Sequence, residues 1–229
     1  MKALISGGTR GIGLACCRLF CRMGYEVAAL YSRDEEAAER ARRELPAVRF
    51  LRADVADEEA VRRAVAAFSA PDVLVNNAGI DLWKQVQDTD YAAWKRVMDV
   101  NAGGAFLLTK HVVPGMLSRG GAIVNVSSVW GVTGGSCESA YSASKGALIA
   151  FTKALSRELA PAIRVNAVAP GAIDTAMNAG YTSGERREIE ERIPLGRFGT
   201  PEEVAEAVYF LATARYVTGQ VLGVDGGGL

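Results

Sequence analysis

The sequence predicts an α/β protein: a single doubly wound domain over residues 1–229, with helices on both faces of a seven-stranded parallel sheet. Three observations predict it. Short apolar runs alternate with amphipathic stretches from one end of the chain to the other, the pattern of a sheet built by right-handed crossovers. The runs are continuous and rich in β-branched residues rather than alternating, as strands covered on both faces must be. The first run also breaks into glycines that lead directly into a helix.

The expected strands are 2–5, 27–30, 48–51, 73–75, 123–126, 163–168 and 221–224. The helical patterns between them cover 11–23, 34–45, 57–68, a long stretch of about 91–117, 140–159 and 201–212. Asp57 stands where an N-cap belongs, with Glu58 and Glu59 in the turn that follows. Thr200-Pro201-Glu202-Glu203 joins a cap, a proline at the first helical position and early acids. Gly103 and Gly104 behind Asn101 should interrupt or kink the long helix. Residues 174–195 carry Gly180, Gly184 and Pro194 around a short charged piece, and a weakly patterned segment of that length reads as a substrate lid.

Composition excludes several classes. The chain is 49% hydrophobic and 23% charged, so it can bury a large core and is not disordered. Twenty-six basic residues balance 26 acidic ones, which leaves no electrostatic footprint for nucleic acid or an anionic membrane. No apolar run reaches the roughly 18 residues of a membrane span, and residues 1–6 are too short for a signal peptide. A cytoplasmic location is therefore expected. Of the four cysteines, Cys16, Cys17 and Cys21 crowd one helix and Cys137 stands apart, without a CxxC pair. With His111 as the single histidine, no metal site is expected and a Ser-His-Asp mechanism has little to work with.

The chemistry starts at Ser6-Gly7-Gly8-Thr9-Arg10-Gly11-Ile12-Gly13. Gly7 permits a tight turn, Gly11 lets the backbone approach a pyrophosphate, and Gly13 lets the helix pack on the strand. Free N–H groups at the helix start then meet the phosphate charge. An NAD site wants an acid at the end of the second strand, but that strand ends Leu30-Tyr31-Ser32-Arg33. Ser32 and Arg33, with Arg10 from the glycine turn, suit a 2′-phosphate, so NADP(H) is the expected cofactor. The competing reading lets Asp34 reach the ribose, although Asp34 is also well placed to cap the next helix.

Tyr141 and Lys145 are four residues apart and share a helix face. A free tyrosine titrates near 10, and a neighbouring ammonium would lower that value toward neutrality. Ser128, at the end of the fifth strand, lies 13 residues before Tyr141. Ser127 is the alternative, since adjacent strand residues face opposite ways.

These motifs together resemble the short-chain dehydrogenase/reductase family, over about residues 2–228. Its fingerprint T-G-x-x-x-G-x-G appears here with Ser6 in place of Thr. The resemblance implies a Rossmann fold. It implies that Tyr141 is the general acid/base, that Lys145 binds the nicotinamide ribose, and that Ser128 holds the substrate carbonyl. It implies that Asn101 holds a water in a proton relay to Lys145. It assigns Asp54 and Val55 to adenine, Asn77, Ala78 and Gly79 to the cofactor's approach beside Asn76, and Pro170, Gly171, Ile173 and Thr175 to the nicotinamide side. Within the family the look is of 3-oxoacyl-carrier-protein reductases. That implies a small carbonyl or alcohol substrate, free or linked to an acyl carrier protein, and a homo-oligomer (tetramer or dimer). Arg119 and Arg164 are the sparse basic candidates for such a carrier. Glu138 is an unusual acid near the substrate mouth, and loops before the fourth, sixth and seventh strands are short. A steroid, sugar or other secondary alcohol, or a non-catalytic cofactor-binding role, stays open.

Overall fold

The structure, a computed structural model, describes residues 1–228. Seven strands form one parallel sheet: β1 (Lys2–Ser6), β2 (Glu26–Tyr31), β3 (Arg49–Arg52), β4 (Val73–Asn76), β5 (Gly121–Val126), β6 (Ile163–Pro170) and β7 (Val221–Val224). Their order across the sheet is β3-β2-β1-β4-β5-β6-β7, and every neighbouring pair is parallel. The order reverses between β1 and β4, which opens a crevice beyond the carboxyl ends of those two strands.

Alternate residues of each strand feed two separate cores. Ala3, Ile5, Val27, Ala29, Val73 and Val75 join α1 (Gly11–Arg22) and α9 (Pro201–Thr213) on one face through Cys16, Cys17, Phe20, Val204 and Val208. Leu4, Ala28, Leu30 and Leu74 join α3 (Glu58–Phe68), α5 (Gly104–Met116) and α7 (Ser139–Glu158) on the other. Leaving no water on either face is what made these runs continuous in sequence. Asp34 caps α2 (Glu35–Glu44) by accepting from Ala37 N–H at 2.9 Å, and Asp57 caps α3 through Glu59 and Ala60 N–H. Thr200 and Glu203 complete a capping box on α9.

The long helix expected over 91–117 is two helices. α4 (Tyr91–Met98) and α5 are joined by one π-helical turn, Asp99–Gly103, centred on Asn101. Two short elements carried no clear pattern in sequence: α6 (Trp130–Thr133) after β5, and the 3₁₀ turn Val86–Asp88. In the 174–195 segment, α8 (Ser183–Arg192) buries no residue. Arg186 fastens it, pairing with Asp174 at 3.1 Å and lying 4.2 Å from the Phe198 ring centroid.

The four cysteines are free thiols, and burial pushes Cys16 up to about 12. His111 sits on α5 against Glu58 at 3.2 Å, joined to none of the Ser, Tyr and Lys groups described below. No group of three potential metal ligands occurs among the described residues. No helix is long and apolar enough to cross a membrane. Both basic candidates for a carrier protein make contacts within the chain, Arg119 from the surface and Arg164 half-buried. Arg119 pairs with Asp72 at 2.5 Å. Arg164 donates to the carbonyls of Leu211 at 2.8 Å and Val217 at 3.2 Å, satisfying the end of α9.

Candidate active site

The glycine turn is built for close approach. Gly7 (φ +66°) and Gly11 (φ +52°) take left-handed conformations. A Cβ on Gly13 would overlap the Gly7 carbonyl oxygen and stand 2.6 Å from Asn77 Nδ2, so the start of α1 presses directly on the end of β1. Gly8 is closed in the same way, with Ala29 Cβ at 2.6 Å from any added Cβ. Thr9 is buried and Arg10 exposed. No side chain caps α1 and no acid stands in its first turn, in contrast to α2, α3 and α9. The leading N–H groups around Gly11, Ile12 and Gly13 therefore stay available to an anion, and the cradle fits a dinucleotide pyrophosphate.

Ser6, noticed in the sequence only as a substitute for Thr, proves to be a latch. Its Oγ accepts from Asn77 N–H at 2.9 Å and Ala78 N–H at 3.0 Å, while Asn77 Nδ2 donates to the Ser6 carbonyl at 2.9 Å. The hydroxyl ties the loop after β4 to the end of β1 across the crevice. Thr175 lies over the cradle, its Cγ2 3.4 Å from where a Gly11 Cβ would stand. Ile173 is buried and bridges to Gly199, and Pro170-Gly171 packs on Asp225. Residues 170–175 thus approach the glycines from the opposite side.

At the end of β2, Asp34 is doubly occupied. One oxygen caps α2 and the other pairs with Arg10 at 3.2 Å. The Tyr31 hydroxyl is held by Glu35 at 3.0 Å and Arg42 at 2.8 Å. Arg33 is exposed and makes no ion pair among the described residues, and the Ser32 carbonyl accepts from Arg52 at 3.2 Å. At the end of β3, Asp54 is also engaged, by Ala56 N–H at 3.0 Å and Arg96 at 2.8 Å; burial pushes its carboxyl up, but these donors hold it below the usual range. Val55 is buried against Gly104.

The four residues singled out for chemistry converge at the carboxyl ends of β4 and β5. Ser128 Oγ accepts from Trp130 N–H at 3.2 Å and stands close enough to the Tyr141 hydroxyl to pull its pKa down. Ser127 points the other way and donates to the Lys145 carbonyl at 2.8 Å. Lys145 is 3% exposed and donates to the Val126 carbonyl at 2.7 Å, with its Nζ 5.5 Å from the Tyr141 ring centroid. Asn101 is clasped to Ile80: its Oδ1 accepts from Ile80 N–H at 2.8 Å and its Nδ2 donates to the Ile80 carbonyl at 2.9 Å and to Ser144 Oγ at 2.9 Å. Gly79 is the spacer here, since a Cβ on it would stand 3.3 Å from Lys145 Nζ and 3.4 Å from Asn101 Oδ1.

One expectation is corrected. The Lys145 ammonium does not make the phenol acidic. Burial pushes Tyr141 up to about 12; the nearby Ser128 hydroxyl opposes this, while Glu138 and Asp81 add to it. Burial also pulls Lys145 down to about 8. Desolvation is the largest influence on both groups, and the protein's own atoms keep Tyr141 protonated.

Cradle and hydroxyl pair open on one edge of the sheet, as in a short-chain oxidoreductase that binds a nicotinamide dinucleotide. The chain belongs to the short-chain dehydrogenase/reductase family: the sequence profile described as Enoyl-(acyl carrier protein) reductase matches residues 7–228. It is 43% identical to the 3-oxoacyl-(acyl-carrier-protein) reductase FabG of Thermotoga maritima, over 98% of this chain and 96% of that one. It is 41% identical to the cis-4-hydroxycyclohexanecarboxylate dehydrogenase of Sinomonas cyclohexanicum, over 98% and 95%. The crystal structure of 3-oxoacyl-(acyl-carrier-protein) reductase from Brucella melitensis superposes with a TM-score of 0.93 at 36% identity, covering 99% of this chain and 90% of that one.

Proposed function

We propose that this chain is an NADPH-dependent carbonyl reductase whose substrate class is a 3-oxoacyl thioester. The observation that carries this reading is the Ser128–Tyr141 hydroxyl pair beside buried Lys145, at the carboxyl edge of the sheet. NADPH, when bound, supplies the hydride. Ser128 and Tyr141 both donate to the substrate carbonyl oxygen and stabilise the alkoxide as it forms. A phenol that titrates near 12 is protonated at neutral pH and yields its proton to the more basic alkoxide. Lys145 keeps a proton at pH 7, since its value lies near 8, and is placed to hold the ribose hydroxyls. Asn101 fixes the Ile80 loop that sets Gly79 against Lys145.

Preference for NADPH is supported by the end of β2, where Asp34 and Glu35 are already engaged and exposed Arg33 forms no ion pair among the described residues, Asp54 feeling its charge only at longer range. There a 2′-phosphate would meet Arg33, Arg10 and the Ser32 hydroxyl. Residues 174–195 act as the lid over the mouth: α8 buries no residue, and the contacts of Arg186 with Asp174 and Phe198 are what its movement must break. A second reading, oxidation of a secondary alcohol, uses the same groups in reverse and is supported by the likeness to the Sinomonas enzyme.

The test is loss of the NADPH absorbance band with an acetoacetyl thioester. Wild type should turn it over, and Tyr141→Phe should lose about 10²–10⁴-fold in kcat. Equal rates for the two proteins would refute the assignment.

A further inference from the structure

Ser128 is held by a helix of only four residues. α6 begins two positions after it, and Trp130 N–H donates to Ser128 Oγ at 3.2 Å while Gly131 N–H donates to the Ser128 carbonyl at 2.9 Å. Val129 N–H donates to the Pro170 carbonyl at 3.0 Å, which ties the same turn to β6. On its other side α6 rests on α7 with no side chain between the two backbones. A Cβ on Gly131 would stand 2.7 Å from the Lys145 carbonyl carbon, 2.9 Å from Lys145 Cβ and 2.8 Å from Ser127 Oγ. Gly146 lies on the same seam, where a Cβ would stand 3.4 Å from the Gly131 carbonyl oxygen. Gly135 N–H donates to Ser142 Oγ at 2.9 Å, and the Ser127 hydroxyl closes the seam from β5 by donating to the Lys145 carbonyl at 2.8 Å.

Gly131 is not in a left-handed conformation, so what its position demands is space. The Lys145 atoms that limit it belong to the backbone and Cβ of a 20-residue helix and cannot rotate away. An added methyl group would therefore displace α6. Reaching an ordinary carbon–carbon contact of about 3.5–4.0 Å takes a shift of about 1 Å, and a hydrogen bond already at 3.2 Å is lost with it. We propose that Gly131 is a positioning residue for the reduction: by letting α6 lie directly on α7, it fixes the Trp130 N–H that aims the Ser128 hydroxyl. A serine hydroxyl has one proton and two acceptor positions. The Trp130 N–H fills one acceptor position and turns the proton away from α6, toward a substrate carbonyl oxygen that also meets the Tyr141 hydroxyl. This rests on the reductase reading of Tyr141 and adds to it the part that sets Ser128 against Tyr141 and Lys145.

A double-mutant cycle in kcat, with an acetoacetyl thioester and NADPH, separates aiming from general support. Gly131→Ala should lower kcat about 10²-fold, the cost of misplacing a group by about 1 Å. Ser128→Ala should lower it about 10²–10³-fold, as for loss of one donor to a developing oxyanion. If Gly131 acts through Ser128, G131A/S128A should match Ser128→Ala alone within about two-fold, whereas independent effects would multiply. The Kd for NADPH, from quenching of tryptophan fluorescence, should stay at the wild-type value in Gly131→Ala. Val132→Ala, on the exposed face of α6, should keep the wild-type kcat. Gly146→Val presses the Gly131 carbonyl from α7 and gives a second route to the same displacement: its loss in kcat should also vanish in a Ser128→Ala background. Multiplying losses in the cycle, or a wild-type kcat in Gly131→Ala, would overturn the proposal. If wild type reduces no ketone, the reductase reading fails, and a crystal structure of Gly131→Ala decides this inference separately. A Trp130 N–H beyond hydrogen-bond reach of Ser128 Oγ supports the aiming role, and an unmoved pair overturns it.

Discussion

Lys145 Nζ lies 5.5 Å from the centre of the Tyr141 ring, and its one protein acceptor is the Val126 carbonyl at 2.7 Å. The fold has therefore buried an ammonium beside a phenol without giving it a counter-ion. Burial drives the two groups in opposite directions, Lys145 down to about 8 and Tyr141 up to about 12. Each is pushed toward its neutral form, which is what a site does when its compensating charge arrives with a ligand.

The sign of that cost can be read from stability. Lys145 titrates near 8 when folded and near 10.5 when unfolded, so the unfolded chain holds more protons between those values. Stability contributed at this position should rise as pH increases from 8 to 10.5 and be lowest below 8. Lys145→Met, similar in volume and uncharged, should melt at or above wild type at pH 7 while losing about 10²-fold or more in kcat/KM. Its thermal advantage should shrink when the melts are repeated at pH 9.5. A Lys145→Met protein less stable than wild type at pH 7 would contradict the burial argument.

If the proposed cofactor preference is right, Arg33 is the residue that should carry it. Asp34 is tied to Ala37 N–H and Arg10, so removing Arg33 frees no acid for a ribose but removes a donor from the 2′-phosphate. Arg33→Ala should lower the NADPH-to-NADH ratio of kcat/KM by about 10–100-fold, the range of a hydrogen bond to a charged group. The change should sit in the KM for NADPH. An unchanged ratio would move the phosphate site elsewhere.

Gly13 and Gly24 separate crowding from backbone strain. Gly13 has no room for a methyl group, because Gly7 and Asn77 Nδ2 fill the space. Gly13→Ala should displace the glycine turn and weaken dinucleotide binding by about 100-fold or more, measured by fluorescence titration. Gly24 has φ +80° but nothing within 4 Å of a Cβ. Gly24→Ala should cost about 1–2 kcal/mol from backbone strain and leave cofactor affinity alone. Comparable losses of affinity in both variants would point to global destabilisation instead.

How much of this was legible in the sequence depended on whether the determinant was local. The strands were, because Ala28–Leu30 or Val73–Val75 must be apolar on both faces, and that removes the alternation. The interruption at Asn101 was legible from Gly103 and Gly104, though its form as a π turn was not. Spacing and strand alternation set Ser128 apart from Ser127 in the sequence, and the Ser127 hydroxyl turns to the Lys145 carbonyl. What stayed hidden involved burial or residues distant in sequence. The desolvation of Tyr141 depends on everything packed around it. Ser6 meets Asn77 across 71 positions, and Arg164 meets Val217 across 53. No local pattern announces such pairs.

Asn101 gives the sharpest division between positioning and proton transfer. Its three hydrogen bonds use both Nδ2 protons and one Oδ1 lone pair on Ile80 and Ser144, and Ser144 Oγ in turn donates to the Tyr141 carbonyl at 2.7 Å. Asn101→Ala would leave the Ile80 N–H and carbonyl without these partners, a loss of about 2–4 kcal/mol, or roughly 5–15 °C in Tm for a chain of this size. Because the Ile80 loop carries Gly79 against Lys145, slack there should also lower kcat for the ketone. Asn101→Asp retains the acceptor for Ile80 N–H but loses both donors and adds a charge, so it should be at least as damaging. If Asn101 acts by positioning, the Asn101→Ala pH–rate profile should keep its shape at a lower plateau. If it acts as a proton relay to Lys145, the profile should shift as proton delivery becomes limiting. Both Asn101 donors being committed to Ile80 and Ser144 favours an unshifted profile, and a displaced one would overturn that assignment.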